Sequence, residues 1–278
     1  MTGATRPRVA RAGSAALRVA RAVAGRWLVL AVLIALWQVA AVAGDSVFFP
    51  PPSDIAARMQ ELWLSAGPPF FFTDAVTQDV LPSLGRMFAG WSIAVVVGVA
   101  AGMAIGSSRV ASDAVQPVMN FLRSTPGPAL LPVFLIVLGT GTTMRVALIA
   151  FSTVWPVLLN TIEGVRTVEP VQLETARAFG LGRAARFRRV VLPSAMPKIL
   201  AGMRVAVAIA LILMVISELV AATNGIGYQL VNAQHLFLMT DMWAGIVLLA
   251  ALGYVLNLLF QTCERRVLRW HRGARRRD

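Results

Sequence analysis

The residues that could do chemistry in this chain are few, and they do not form a catalytic set. Among 278 residues there are two histidines, one cysteine (Cys263) and 13 acids. A single cysteine excludes an internal disulfide framework and any paired-cysteine metal site. The acids and histidines are scattered, and no glycine-rich phosphate loop occurs. No catalytic group, no metal site and no cofactor of the chain's own is expected. Two polar constellations with fixed spacing stand out instead. In the first, Glu174, Thr175 and Ala176 are followed after three residues by Gly180, after nine more by Val190, and then by Leu192-Pro193. In the second, Glu218 is the one acid deep in the apolar run LILMVISELVAATNGIGY, shortly before Asn224, Gly225 and Gly227.

The first constellation is mechanical in character. Pro170 suits the first turn of a helix, where its missing N–H costs nothing. Gln172 to Phe179 continues that helix, and Gly180 is placed to end it in the left-handed conformation. A second short helix, Arg183 to Val190, carries Arg183, Arg186, Arg188 and Arg189. Leu192-Pro193 is expected to break the chain before the next apolar run. The expected product is a compact helix–glycine–helix, residues 163–198, projecting into water between two membrane spans. For Glu218 the physics is electrostatic. An intramembrane charge costs on the order of 3 kcal/mol on insertion scales, so it must face a partner or water. Arg204 lies fourteen residues away in the same run, about 21 Å along a helix, too far to pair. Arg145, at the outer end of the preceding span, is the candidate partner; backbone N–H groups around Asn224 to Gly227 are the alternative. Two roles stay open: a structural pair, or an outer gate at which Gly225 and Gly227 let the chain bend.

The surroundings set the class. The chain is 57% hydrophobic and 14% charged, with a mean hydropathy of +0.70, too apolar for a soluble domain. Several runs approach the ~20 residues a helix needs to cross hydrocarbon, so an all-α polytopic protein with about six transmembrane helices is expected. Residues 1–26 form a basic tail containing Arg6, Arg8, Arg11, Arg18, Arg21 and Arg26. The transmembrane domain, 27–262, begins with the run Trp27 to Gly44, with Trp27 as an interfacial anchor. Ala41-Val42-Ala43 resembles a signal-peptide cleavage site, but the run is longer than most signal cores and reads as a retained span. Residues 45–80 are acidic and proline-rich; Ser53 is placed to cap a short helix over Asp54 to Trp63, and Phe70, Phe71 and Phe72 suit an interfacial segment.

The second span, Ser83 to Gly106, has Gly98, Gly102 and Gly106 at four-residue spacing, a strip that lets helices approach closely in lipid. Ala114 to Gly139 is interrupted by Pro117, Pro126, Pro128 and Pro132, with Arg123 just before the proline group. Such a broken helix is tolerated at membrane depth where it is buried in protein or lines a cavity. Arg145 to Ile162, Ser194 to Ala222 and Met242 to Phe260 complete the set, with Pro156 inside the fourth span and Pro197 expected in the first turn of the fifth. Residues 263–278 form a basic tail.

A net charge of +13 raises nucleic acid as a partner, but the arginines flank apolar spans rather than forming one stripe, so none is expected. Of 26 Lys and Arg, all but Arg58, Arg86 and Arg145 fall at one end of the spans. By the positive-inside rule both termini and the 163–198 loop are cytoplasmic.

The first constellation resembles the "EAA" loop of ABC importer permeases, whose pattern is Glu-Ala-Ala, three residues, Gly, nine residues, Ile, one residue, Leu-Pro. Thr175 and Val190 are the two departures, both small. From Phe48 to Trp270 the chain further resembles the permease subunits of the sulfonate/nitrate/taurine group. That likeness is carried by FFPPPSDI, SLGRMFAGW, FLRSTPGPALLPVFLIVLGTG, WPVLLNTIEGVRTVEP and SELVAATNGIGYQL. Permeases for pyrimidine thiamine precursors, riboflavin or phthalate share much of it. The resemblance implies a type I importer permease fold in the cell (inner) membrane. It implies two permease chains, usually a homodimer, and an ATPase subunit on each that binds and hydrolyses the ATP. It also implies an extracytoplasmic binding protein that delivers a small solute. Glu174 would carry polar docking contacts to the ATPase, Ala176 would permit close approach, and Gly180 would supply the turn. The arginines after Gly180 would meet either the ATPase or anionic lipid. Other classes fit less well. A secondary transporter would show a repeated half, and a membrane enzyme would need a clustered site. A membrane scaffold would not need the loop spacing.

Overall fold

In the computed structural model the described residues are 9–65, 72–220 and 222–269, excepting the side chains of 9–24 and 26. Arg6 and Arg8 of the basic start, Phe70 and Phe71 of the aromatic cluster and the arginines of 272–277 lie outside them. Among the described residues there is no strand. The long helices are α1 (Val9–Gly44), α3 (Leu81–Gly106), α6 (Thr142–Arg166), α9 (Leu192–Leu219) and α11 (Met239–Val267). Shorter ones are α2 (Pro52–Leu64), α4 (Arg109–Ser124), α5 (Leu131–Leu138), α7 (Pro170–Ala178), α8 (Arg183–Arg186) and α10 (Ile226–His235). Among the described residues five segments are long and apolar enough to cross a membrane. The sixth exists only if α4 and the run Gly127–Leu138, bent by 82° at the proline group, count as one broken span.

Lipid tails are as apolar as leucine, so helices in a bilayer are held by close contact rather than by expulsion from water. The α3–α6 seam is the main instance. A Cβ on Gly90 would stand 2.7 Å from Ile149, on Gly98 2.9 Å from Val157, on Gly102 2.6 Å from Thr161 and on Gly106 3.0 Å from Val165. Each of these pairs differs by the same number of residues, so the two helices run parallel and in step, one four-residue row against another. The strip read from Gly98 to Gly106 is therefore a packing face, and it extends back through Ala94, itself buried, to Gly90. Helix α9 returns antiparallel on the other side of α6, where Gly164 meets Ala195 and Gly202 meets the Pro156 carbonyl. Met87, Ile149, Leu213, Met214 and Ile226 form a core joining α3, α6, α9 and α10. Helix α1 stands apart: between 27 and 44 only Ala41 is buried. It is attached near its C-terminal end by Trp37 on Trp243, with ring centroids 5.2 Å apart, and by Gln38 on Ser53. The helix begins well before Trp27, so part of the basic start is helical.

Three local expectations are corrected. Leu192-Pro193 does not break the chain; residues 183 to 219 are one helical run. A five-residue π turn, Phe187–Val191, precedes the dipeptide, and Leu192 N–H donates to the Phe187 carbonyl five residues back. A proline ring normally clashes with the carbonyl four residues earlier, and the widened turn moves that carbonyl aside. Leu81-Pro82 uses the same device after Val76–Val80. Pro197 accordingly lies inside α9 rather than in its first turn. Ser53 does not cap α2, which starts at Pro52 with Pro51 in the cap position. Its hydroxyl faces Gln38 and Asp54 instead.

Candidate functional site

The polar groups gather at the two opposite ends of the bundle. At the basic end, α7 is a nine-residue helix with Pro170 in its first turn. Gly180 has φ +70°, its N–H donates to the Arg177 carbonyl (2.9 Å), and Leu181 N–H donates to Ala176 (3.0 Å). These are the paired bonds of a Schellman ending, which needs a residue free to adopt the left-handed conformation; Gly180 ends the helix as the sequence predicts. Ala176 is buried within this chain, and α7 packs on the 187–191 turn. Val171, Glu174, Thr175, Ala178 and Phe179 are exposed on the other side, Val171 by 68% and Phe179 by 80%. The sequence reading missed Val171 and Phe179. Their spacing from Thr175, four residues each way, was the available signal. Val190, Leu192 and Pro193 are half-buried, and Leu192 joins the core formed by Met103, Val165, Ala195 and Ile199. The loop is tied down by Ser194 to Gln172 (3.3 Å) and by Lys198 to Glu163 (2.6 Å). Beside α7 an open cleft of ≈ 830 Å³ holds Glu174, Arg177 and Arg186 against Arg109 and the Arg166–Asp113 pair.

At the acidic end, the Asn224–Gly227 turn and the start of α10 dock onto the first two turns of α3. Glu218 is 1% exposed. Its salt bridge is to Arg86 of α3, Nη1 to Oε1 at 2.8 Å; this corrects the expectation of Arg145, which is buried in α6 within range of the same charge. Ser83 donates to the Glu218 carboxylate, 2.8 Å from each oxygen. The expected backbone donor is there too, in Gly227 N–H to Oε2 at 3.1 Å. Arg86 reaches on to the Asn224 carbonyl and side chain (3.3 and 2.6 Å). Asp79 accepts from Gly225 N–H (2.8 Å) and from Gln229 (2.9 Å), and Ser83 Oγ accepts from Ile226 N–H (3.0 Å). The orphan N–H groups at the start of α10 are thus met by two carboxylates and a hydroxyl from elsewhere in the chain. The negative charge sits where the helix dipole favours it.

Gly225, at φ +121°, and Gly227 are required by proximity. A Cβ on Gly225 would meet the Glu218 carboxylate at 2.5 Å, and one on Gly227 the Val215 carbonyl at 2.6 Å. Asp79, Ser83 and Arg86 were absent from the sequence-predicted set. Their i, i+3 and i, i+4 spacing on one face of a helix start was the only local hint. Nearby, Arg58 of α2 bonds Asp241 of α11 at 2.6 Å and Glu61 at 2.9 Å. Those bonds, Asp241 first, raise its guanidinium above the ordinary arginine pKa.

Comparison with known proteins gives a consistent picture. Residues 94–269 match the family described as "Binding-protein-dependent transport system inner membrane component". Among curated relatives, the taurine transport system permease protein TauC of Escherichia coli (strain K12) is 33% identical over 87% of this chain and 88% of its own length. The aliphatic sulfonates permease protein SsuC of Bacillus subtilis (strain 168), itself a tentative assignment, is 30% identical over 87% and 86%. The nitrate import permease protein NrtB of Synechocystis sp. is 28% identical over 82% and 83%. Among solved structures, a chain of the MetNI methionine ABC transporter in an inward-facing conformation superposes with a TM-score of 0.62 at 19% identity, covering 73% of this chain and 99% of that one. A chain of an amino acid ABC transporter gives 0.55 at 20%, covering 70% and 92%.

Proposed function

This chain belongs to the family of binding-protein-dependent transport system inner membrane components, and on that premise we propose that it is the anion-conducting permease of an ATP-driven importer. It is an ABC importer permease, a transmembrane component and not itself the ATPase. Two copies form the pathway, each docked on a separate subunit that binds and hydrolyses ATP, and an extracytoplasmic binding protein delivers the solute. The observation that carries this is α7: a short helix with a fixed turn at its end, packed on the 187–191 turn that runs into α9. Its face of Val171, Glu174, Thr175 and Phe179 is left uncovered. A rigid element of that kind passes a rigid-body displacement from a docked partner to α6 and α9 on either side of it. Gly180 supplies the turn. Both termini and this loop are cytoplasmic, which the concentration of Lys and Arg at that end supports.

The substrate is a small oxyanion of the sulfonate or nitrate kind. Support comes from the relatives named for taurine, aliphatic sulfonates and nitrate. The test is reconstitution of the chain with its ATPase and binding protein in liposomes, with uptake of labelled taurine, methanesulfonate and nitrate measured with and without ATP inside and out. ATP-dependent accumulation of one of these is the expected result. Accumulation of none, in vesicles where the complex has assembled, overturns the reading.

A further inference from the structure

At the bend between α4 and the Gly127–Leu138 run lies an open cavity of ≈ 370 Å³, walled on its other sides by α6 and α9. Ser152, at its wall, is ten residues into the 25-residue helix α6, about 15 Å from its N-terminal end and so near its middle. The volume is in the range of small-molecule sites. Its polar groups are distinctive. The Ser152 hydroxyl and the Trp155 indole N–H are both shielded from solvent and have no hydrogen-bond partner among the described residues.

Other hydroxyls of the same helix do have partners: Thr153 donates to the Ile149 carbonyl at 2.6 Å and Thr161 to Val157 at 2.7 Å. Ser152 and Trp155 are three residues apart and share a face of α6. Pro156 brings no N–H to the Ser152 carbonyl four residues back. The Trp155 ring is set by an edge contact on Phe151, centroids 5.6 Å apart. The break itself is pressed onto this spot, since a Cβ on Gly127 would stand 2.5 Å from Ser152 Oγ. The one ionisable residue lining the cavity is Arg123, and among the described residues no carboxylate lies within ion-pair distance of it. Thr125 adds a hydroxyl, and Leu213 and Ile209 an apolar wall.

We propose that this cavity is a substrate subsite on the permease itself, taking a small organic anion with a compact oxyanion head such as a sulfonate. Arg123 meets the charge, Ser152 and Trp155 donate to the head-group oxygens, and the wall of α9 covers the aliphatic body. Buried donors with no protein partner are costly unless a ligand or water meets them, and the exposed Arg123 adds a guanidinium to the same lining. A cavity that offers a cation and unmet donors without any carboxylate selects for an anion. The inference rests on the oxyanion reading above and deepens it.

The test uses the full permease–ATPase complex, nucleotide-free and without the binding protein. The probe is the sulfonate that the liposomes accumulate, labelled methanesulfonate or labelled taurine (the same head on a zwitterion); accumulation of nitrate alone overturns the subsite. Saturable binding to the unaltered complex is expected. It is expected to be lost in Arg123→Gln, retained in Arg123→Lys, and weakened at least fivefold in Ser152→Ala with Trp155→Phe. If Arg123→Gln fails to assemble, the Ser152 and Trp155 pair decides. Import of the probe by the unaltered complex together with no saturable binding, or with binding unchanged in these variants, overturns the subsite and leaves the functional reading standing. Failure to import any of the three solutes overturns both.

Discussion

Arg86 and Glu218, 132 residues apart in sequence, meet at 2.8 Å in the interior, with side chains 8% and 0% exposed. The pair holds together three things the chain must keep in one place: the start of α3, the end of α9, and the turn that launches α10. Glu218 reaches all three, through Arg86, its own helix and Gly227 N–H. Removing one member of a buried pair leaves the other charge uncompensated, at a cost of about 3–5 kcal/mol. Glu218→Gln and Arg86→Gln are therefore each expected to lower the thermal midpoint of the solubilised complex markedly. An Arg86→Met, Glu218→Met double variant is expected to recover part of the loss, since no lone charge is left. Equal midpoints for the singles and the parent would show that the pair is not structural.

Gly225 gives a sharper probe of the same cluster, because two penalties fall on one added methyl. Its φ of +121° is strained for any L side chain, and the Cβ would meet the Glu218 carboxylate at 2.5 Å. Gly139, at φ +72° and ψ −174° with nothing within 4 Å, carries only the conformational penalty, about 1–3 kcal/mol. Gly225→Ala is expected to reduce the amount of folded chain in the membrane well below Gly139→Ala. Comparable levels of the two, by in-gel fluorescence of tagged protein, would mean that the Glu218 site yields easily.

What was legible in the sequence and what was not divides along the reach of the rules. Gly180 could be read because a helix ending of this type needs a left-handed residue within a few positions of a known start. The glycine strip from Gly98 to Gly106 could be read because a four-residue period defines one helix face. Which helix the strip meets could not, since nothing local says that Val157 and Thr161 stand opposite. The Glu218 partner failed for the same reason: Arg86 and Arg145 both lie toward the same end of the bundle, and only the packing of α3 beside α9 selects Arg86. Leu192-Pro193 was misread for another reason. Proline is a helix breaker only while the preceding turn keeps its ordinary width, and the five-residue turn at 187–191 removes the clash.

The exposed face of α7 leads to a separate expectation. Replacing Val171 or Phe179 by Asp puts a charge on a face proposed to be covered by the ATPase, while the buried Ala176 keeps the helix packed on its own chain. Co-purification of the ATPase is expected to fall at least tenfold with either change, at unchanged permease levels. Gly180→Val forces φ near +70° on a β-branched residue that resists it. It and Glu174→Ala are expected to reduce uptake more than they reduce membrane insertion. Full uptake by both would remove α7 from the coupling path.

Orientation can be decided with the chain's own thiol. Cys263 is the one cysteine of the sequence and is exposed, in the last turns of α11 beside Arg265 and Arg266. The positive-inside rule puts that end in the cytoplasm. Asp54, exposed in the first turn of α2 near Arg58 and Asp241, belongs to the other end. An impermeant maleimide added to intact cells is expected to leave the parent unlabelled until the membrane is opened. An Asp54→Cys, Cys263→Ser variant is expected to label at once. Because α3 and α6 run parallel and α9 antiparallel to them, one such measurement fixes the direction of all three helices, and with them the side on which α7 lies. Prompt labelling of Cys263 from outside would invert the whole arrangement and put α7 out of reach of a cytoplasmic ATPase.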